Sequence, residues 1–430
     1  MHRNGGQGGR NWRGKDSKEM GKNTGKWVWR VKGSSSSKEE ILTESMSSLG
    51  LDYSWKLPEE ITSQILSRLP VKSVLRCRCV CKAWRSFLKD LHFVGMHLGR
   101  AYEEKERSLV VATIDLRSDD DDRRDGVPVI HMSYNVHLVE NMFELGRGEQ
   151  LFVRIEVPST VWASCNGLLC SCSLDSKDLK ICNPFTKETV ELPKSKIRTS
   201  NKICGFGYHP VTKEYKVLCF PIVSSPKNSV KIFAEVHTLG SNSWRSKGEI
   251  PFTIYWRPFN VLVNGALHWL VQYPKDSGNV MITAFDIGDE EFRFLPVPPE
   301  LLANDKWAHR QVQEFGEFLS LVDFSPPYRV EIWVMKQYGV EESWVKQFVV
   351  PITVLVKSVT LIWPLEGGEV LLHYNQKFVS YDPMRNQTTP LAVQSPPNIN
   401  HAYVHVGSLV SPHMTMRQSA ELEYSKSRAG

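Results

Sequence analysis

Residues 265–298, GALHWLVQYPKDSGNVMITAFDIGDEEFRFLPVP, contain an apolar run, a second strand-like run, a turn and a closing proline. Stretches of the same kind recur along the chain. Apolar runs open at Gly167 (GLLCSC), Tyr215 (YKVLCF), Gly265 (GALHWL), Glu317 (EFLSLVDF) and Glu369 (EVLLHY), at intervals of 48, 50, 52 and 52 residues. A repeat of about 50 residues built from several short strands is the signature of a kelch-type propeller blade. SLVVATIDL (108–116) opens a further unit, giving about six blades with seven left open. AYVHVGSLV (402–410) is expected to return to the first blade, because closing the ring removes exposed sheet edges. The acidic SDDDDRRD (118–125) reads as a solvated loop between strands.

The chain before the repeats follows a different period. In LPEEITSQILSRLPVKSVLRCRCVCKAWRSFL (57–88), Leu57, Ile61, Ile65 and Leu69 fall four apart and Leu66 widens their stripe. Pro58 suits a first helical turn, and Glu59 and Glu60 favour the positive end of the helix dipole. Pro70 ends that helix. A second helix is expected over Val71 to Arg78, and a third carries Val80, Ala83, Trp84, Phe87 and Leu88 on one face. A unit of roughly 40 residues without disulfides or metal seldom buries enough surface alone, so this one needs a partner.

Net charge is +6, but residues 1–38 hold ten Lys/Arg against Asp16 and Glu19, which leaves −2 for the remainder. A near-neutral body argues against nucleic-acid binding, which needs clustered Lys/Arg on the docking surface. Residues 1–53 have the composition of a disordered basic tail and linker, and 413–430 are expected to be a second tail. No apolar run reaches the roughly 20 residues of a membrane span, and the N-terminus lacks the apolar core of a secretory signal. The nine cysteines are therefore expected as free thiols in a reducing compartment, cytoplasmic and/or nuclear.

Taken together, LPEE, ILSRLPVKSVLR, CRCVCKAWRSFL and FVGMHL (57–98) resemble the F-box of plant-type F-box proteins. CNGLLC, NPFTKETVELP, GFGYHPVTKEYKVL, VNGALHWL, ITAFDI with FRFLPVP, and GSLVSP resemble the F-box-associated, kelch-like β domain of the same family. The resemblance implies a small all-α three-helix F-box (54–98) followed by a large all-β propeller (105–412). It also implies docking on the Skp-type adaptor of a cullin-RING ubiquitin ligase, with a protein substrate of unknown identity held by the β domain. By motif position, Leu57, Pro58, Ile61, Ile65, Leu66, Leu69, Val74, Leu75, Val80 and Trp84 are candidates for the adaptor face or the small core behind it. The sequence does not divide those two roles.

No catalytic constellation emerges. Cys77, Cys79 and Cys81 alternate, so on a helix they do not converge on a metal. Cys165, Cys170 and Cys172 read as strand core, and His401 with His405 lacks a nearby carboxylate. Asp286, Asp323 and Asp382 recur at blade turns, where turn chemistry explains them. The chain is thus read as a non-catalytic receptor with no metal and no cofactor, against an adaptor-independent scaffold or a propeller enzyme. Tyr255, Trp256, Arg257 and Phe259 in TIYWRPFN are the substrate-binding candidates, since aromatics and Arg are enriched at interface hot spots.

Overall fold

The computed structural model describes residues 20–23, 26–29, 58–104, 107–124, 127–139, 153–155, 160–172, 178–197, 199, 202–224, 230–254, 260–273, 280–303, 307–354, 356, 358–365, 367–391 and 399–413. The chain divides into two units, 1–61 and 62–430. In the first, strands β1 (Met20–Asn23) and β2 (Lys26–Trp29) form an antiparallel hairpin within the segment for which the sequence suggested no structure.

The second unit carries six sheets. Blade 1 joins β27 (Ile399–His405) to β3 (Ser108–Arg124), β4 (Val127–Val139) and β5 (Val153–Ile155). Blade 2 is β6 (Thr160–Cys165), β7 (Leu168–Cys172), β8 (Leu179–Asn183) and β9 (Glu188–Glu191). Blade 3 is β10 (Lys202–His209), β11 (Glu214–Ser224), β12 (Val230–Thr238) and β13 (Arg245–Glu249). In blade 4, β14 (Thr253–Ile254) and β15 (Val261–Val263) both pair with β16 (Ala266–Gln272), followed by β17 (Val280–Asp286) and β18 (Phe292–Leu295). Blade 5 is β19 (Arg310–Phe315), β20 (Phe318–Asp323), β21 (Arg329–Met335) and β22 (Trp344–Pro351). Blade 6 is β23 (Val359–Pro364), β24 (Val370–Tyr374), β25 (Lys377–Asp382) and β26 (Gln387–Pro390). The propeller therefore has six blades, and its last strand does close the first blade, pairing Ala402 with Val111 and His405 with Ser108. The run 118–125 differs from expectation: as far as Arg124 it belongs to β3, paired with β4.

The apolar runs are continuous because the middle strands are covered on both faces, and alternate residues feed the two neighbouring blade interfaces. On β7, Leu168, Cys170 and Cys172 join the core shared with blade 3, while Leu169 joins the core shared with blade 1. On β24, Leu371 faces blade 1, and Val370, Leu372 and Tyr374 face blade 5. Aromatic contacts reinforce these layers; Phe220 of blade 3 meets Trp269 of blade 4 edge to face, with ring centres 5.0 Å apart. The GFG motif serves this interface. A Cβ at Gly205 would lie 2.7 Å from Trp269, and one at Gly207 2.2 Å from Ile287.

Tight Asn-Gly turns link β6 to β7 in blade 2 and β15 to β16 in blade 4, with positive φ at Asn166, Gly167, Asn264 and Gly265, as such hairpins require. The expectation of nine free thiols is corrected at one pair. Cys204 and Cys219 are opposed directly across β10 and β11, with Cα atoms 4.3 Å apart, and form a disulfide.

Beyond β27 the chain clasps blade 2. Asn183, fully buried, donates to the carbonyls of Ser408 (3.0 Å) and Val410 (2.8 Å) and accepts from the backbone N–H groups of Phe185 (2.8 Å) and Thr186 (3.2 Å). Replacing Asn183 with Ala orphans several buried groups at once and should cost about 3 kcal/mol. A fall in the urea midpoint is the expected result, and an unchanged midpoint would refute the clasp.

Four histidines are held neutral inside the blades. Burial pushes His237, His268 and His373 down to about 4, and His405 to about 3. In the unfolded chain each takes up a proton near pH 6.5. Below that pH the unfolded state binds protons the folded state refuses, so stability falls by up to about 1.4 kcal/mol per pH unit for each. Glu314 has the opposite sign, since burial raises it to about 7 and the folded state protonates first. It offsets about one of the histidines. The urea midpoint should therefore drop between pH 6.5 and 4.5; a flat or rising midpoint would show that these rings are not buried as described.

Candidate functional site

Four helices, one more than expected, form the cap: α1 (Glu59–Leu66), α2 (Val71–Cys77), α3 (Lys82–Phe87) and α4 (Leu91–Glu103). The sequence signal for α4 was present in Asp90, whose carboxylate accepts from the His92 and Phe93 N–H groups as an N-cap. Phe93, Val94, His97 and Ala101 then follow on its buried face.

The cap has two apolar surfaces. Leu66, Val71, Val74, Leu88, Phe93 and Val94 share one core with Cys165, Leu168 and Phe206 of blades 2 and 3 and with Leu409 and Val410 of the clasp. Polar bonds fix this arrangement: buried His97 bonds the Leu69 carbonyl through Nε2 (2.9 Å), and Arg78 donates to the Leu88 carbonyl (2.8 Å). The helical unit thus buries part of its apolar surface against its own propeller, which the size argument had assigned to a partner.

The candidate residues are thereby divided. Leu66 and Val74 are core. Leu69, Leu75 and Trp84 are half-buried and packed against it. Pro58 is exposed, and so are Ile61 (42%), Ile65 (48%) and Val80 (66%), large side chains that gain nothing from water. Ile61 and Ile65 lie one turn apart on α1. Leu57 lies outside the described residues. The cysteine-rich run has local uses, since Cys77 packs against the core and Cys81 caps α3 by accepting from the Trp84 N–H. Among the described residues, no three His, Cys, Asp or Glu side chains are placed to hold a metal ion.

Antiparallel pairing makes all innermost strands run the same way, so the two propeller faces are distinct. His405 at the end of β27 pairs with Ser108, where the chain arrives from α4. The cap therefore sits at the face where innermost strands end. At the opposite face, blades 2 and 3 flank a cleft of about 430 Å³ lined by Lys194, Ser195, Lys202, Glu235 and Trp244 among others. Ser195 donates to the buried Glu235 carboxylate, and the Trp244 indole donates to the Pro193 carbonyl (2.6 Å). This cleft has mixed charge and an aromatic wall, which suits a peptide segment; the sequence reading missed it because its residues come from separate loops and strands. Tyr255, Trp256, Arg257 and Phe259 lie outside the described residues.

The blade-turn aspartates behave as turn residues. Asp286 accepts from the N–H groups of Gly288 (2.8 Å) and Asp289 (3.0 Å), and Asp382 from those of Met384 (2.9 Å) and Arg385 (3.2 Å). Asp323 accepts from the Ser325 N–H (2.8 Å) and pairs with buried Arg310 (3.1 Å). Each serves its own blade.

Comparison with known proteins agrees with both halves. A family model for the F-box domain matches residues 55–94, and one for the F-box associated beta propeller domain matches 146–409. An F-box protein of Arabidopsis thaliana is 31% identical over 416 residues, covering 86% of this chain and 96% of that protein. An F-box/kelch-repeat protein of the same plant is 27% identical over 376 residues, covering 83% and 96%. The Arabidopsis thaliana F-box protein CPR1 is 28% identical over 387 residues, covering 82% and 88%.

Proposed function

The chain belongs to the F-box proteins that carry an F-box associated beta propeller domain, and from that membership we propose that it is the substrate-recognition subunit of an SCF-type (Skp-cullin-F-box) ubiquitin ligase. The observation that carries this reading is the divided cap. One apolar surface is sealed into the propeller, while Ile61, Ile65 and Val80 remain exposed at positions the F-box motif supplies. An apolar helical face laid into a partner groove is a common recognition mode, and the Skp-type adaptor is the partner this motif implies.

In this role the chain makes and breaks no bonds. The shared core between cap and blades holds the propeller rigidly to the docked adaptor. A substrate bound to the propeller is then presented to the ubiquitin-loaded conjugating enzyme at high effective concentration. The cleft between blades 2 and 3 lies on the face away from the cap, and loops there are free of it, which supports that face as the substrate side. Among the described residues no helix is long and apolar enough to cross a membrane, and a cytoplasmic or nuclear ligase is the corresponding proposal.

Affinity purification of the tagged full chain with mass spectrometry tests the reading. Recovery of a Skp-type adaptor together with a cullin is expected. Recovery of neither, from a folded protein, would point instead to an adaptor-independent scaffold.

A further inference from the structure

The innermost strands surround an axial channel, and its end nearest the cap is a cavity of about 300 Å³. That volume is at the small end of the range for small-molecule sites, about 300–1,000 Å³. Most polar groups around it are engaged within the protein. The Gln313 amide donates to the Val359 carbonyl (2.6 Å) and accepts from the Leu361 N–H (2.6 Å). Asn260 is bonded on both sides to the Phe206 backbone, and Asn166 accepts from the Tyr102 hydroxyl (2.9 Å).

Glu314 differs. Its side chain lines the cavity and is exposed to water there, while the protein around the cavity raises it above the usual carboxylate range. Among the described residues no donor hydrogen-bonds its carboxylate. Arg107 attracts it at longer range, but that guanidinium is stacked over Tyr102 (4.9 Å) and Trp363 (5.1 Å) and donates to the Ala101 carbonyl. A carboxylate that lines a cavity and takes no donor from the protein leaves its acceptor sites to whatever occupies that cavity, and a charged N–H donor is the strongest partner for them. Leu262, Leu361 and Val404 supply an aliphatic wall beside it, and the Arg107 charge repels a second positive group.

We propose that this cavity binds a small organic monoammonium ion, with the ammonium against Glu314 and the apolar body along Leu262, Leu361 and Val404. The site is independent of the ligase reading, because it requires only the closed ring. It also carries a pH signature. The groups facing Glu314 are Arg107, Tyr102 and Cys165, of which burial keeps the phenol and the thiol neutral. Glu314 therefore ionises near pH 7, and the carboxylate form is the one that holds a cation.

The test is calorimetric titration of the purified full chain with phenethylammonium, and with 2-phenylethanol and 3-phenylpropionate as neutral and anionic probes of similar shape. One-site, saturable binding of the ammonium is expected, at least about tenfold tighter than the alcohol, with no binding of the acid. Wild-type affinity should rise from pH 6 to pH 8, while Glu314→Gln should lose about tenfold at pH 8 and show no such rise, with its unfolding midpoint at that pH no lower than wild type, since the neutral amide removes the cost of the ionised carboxylate. Val404→Trp, which fills the cavity, should remove binding. Absence of saturable ammonium binding at pH 8, equal affinity for alcohol and ammonium, or indifference to Glu314→Gln would each overturn the proposal.

Discussion

Ile65→Glu combined with Val80→Glu will weaken adaptor binding by at least about a hundredfold while leaving the unfolding midpoint of the chain close to wild type. Each side chain is exposed, so charge there leaves the core intact. In the complex each is expected to be desolvated, and truncated or charged hot-spot residues commonly cost about 2 kcal/mol or more apiece. Two such losses multiply to more than two decades of affinity. Binding titration against recombinant Skp-type adaptor, beside urea unfolding, measures both quantities. The comparison with Val74→Ala is informative, because that residue is fully buried between cap and blades. Its loss should lower stability by about 1–3 kcal/mol and reduce binding only as far as it unfolds the cap. Retained affinity in the double Glu variant would place the adaptor elsewhere. Deleting residues 55–98 is a poorer test, since it strips Leu66, Val71, Val74, Leu88, Phe93 and Val94 from a core that blades 2 and 3 share.

Ending the chain after Pro390 will prevent recovery of folded protein. The loss removes β27, the innermost strand of blade 1, and with it Ile399 and Ala402, which pack between blades 1 and 6. It also removes Leu409 and Val410 from the core under the cap and leaves Asn183 without its carbonyl partners. Domains are stable by only about 5–15 kcal/mol, and these losses together exceed that. The inner edge of β3 is uncovered as well, which invites aggregation. Ending after His413 keeps every described contact and should leave solubility and unfolding midpoint unchanged. A soluble, cooperatively unfolding product from the shorter chain would contradict ring closure by β27.

The propeller was legible because its physics is local and repeated. Spacings near 50 residues mark the blades, and runs such as LLCSC are continuous because both faces of the strand are buried. Closure by residues near 402 followed from the cost of open edges alone. The cap was harder. Its apolar residues serve two surfaces, and helical periodicity shows only that Leu66 and Ile65 are apolar, not that one faces blade 2 and the other water. The fourth helix was overlooked although Asp90 marks its start. The Cys204–Cys219 bond required the register of β10 against β11, which no local pattern fixes. The cleft and the axial cavity gather residues from distant strands, so neither has a contiguous sequence signal.

Hydrogen–deuterium exchange of the full chain, with and without a recombinant Skp-type adaptor, tests the divided cap most directly. The account predicts new protection over α1 and around Val80, with exchange in the blades and at buried α4 unchanged. Protection confined to the propeller, or none at saturating adaptor, would contradict it.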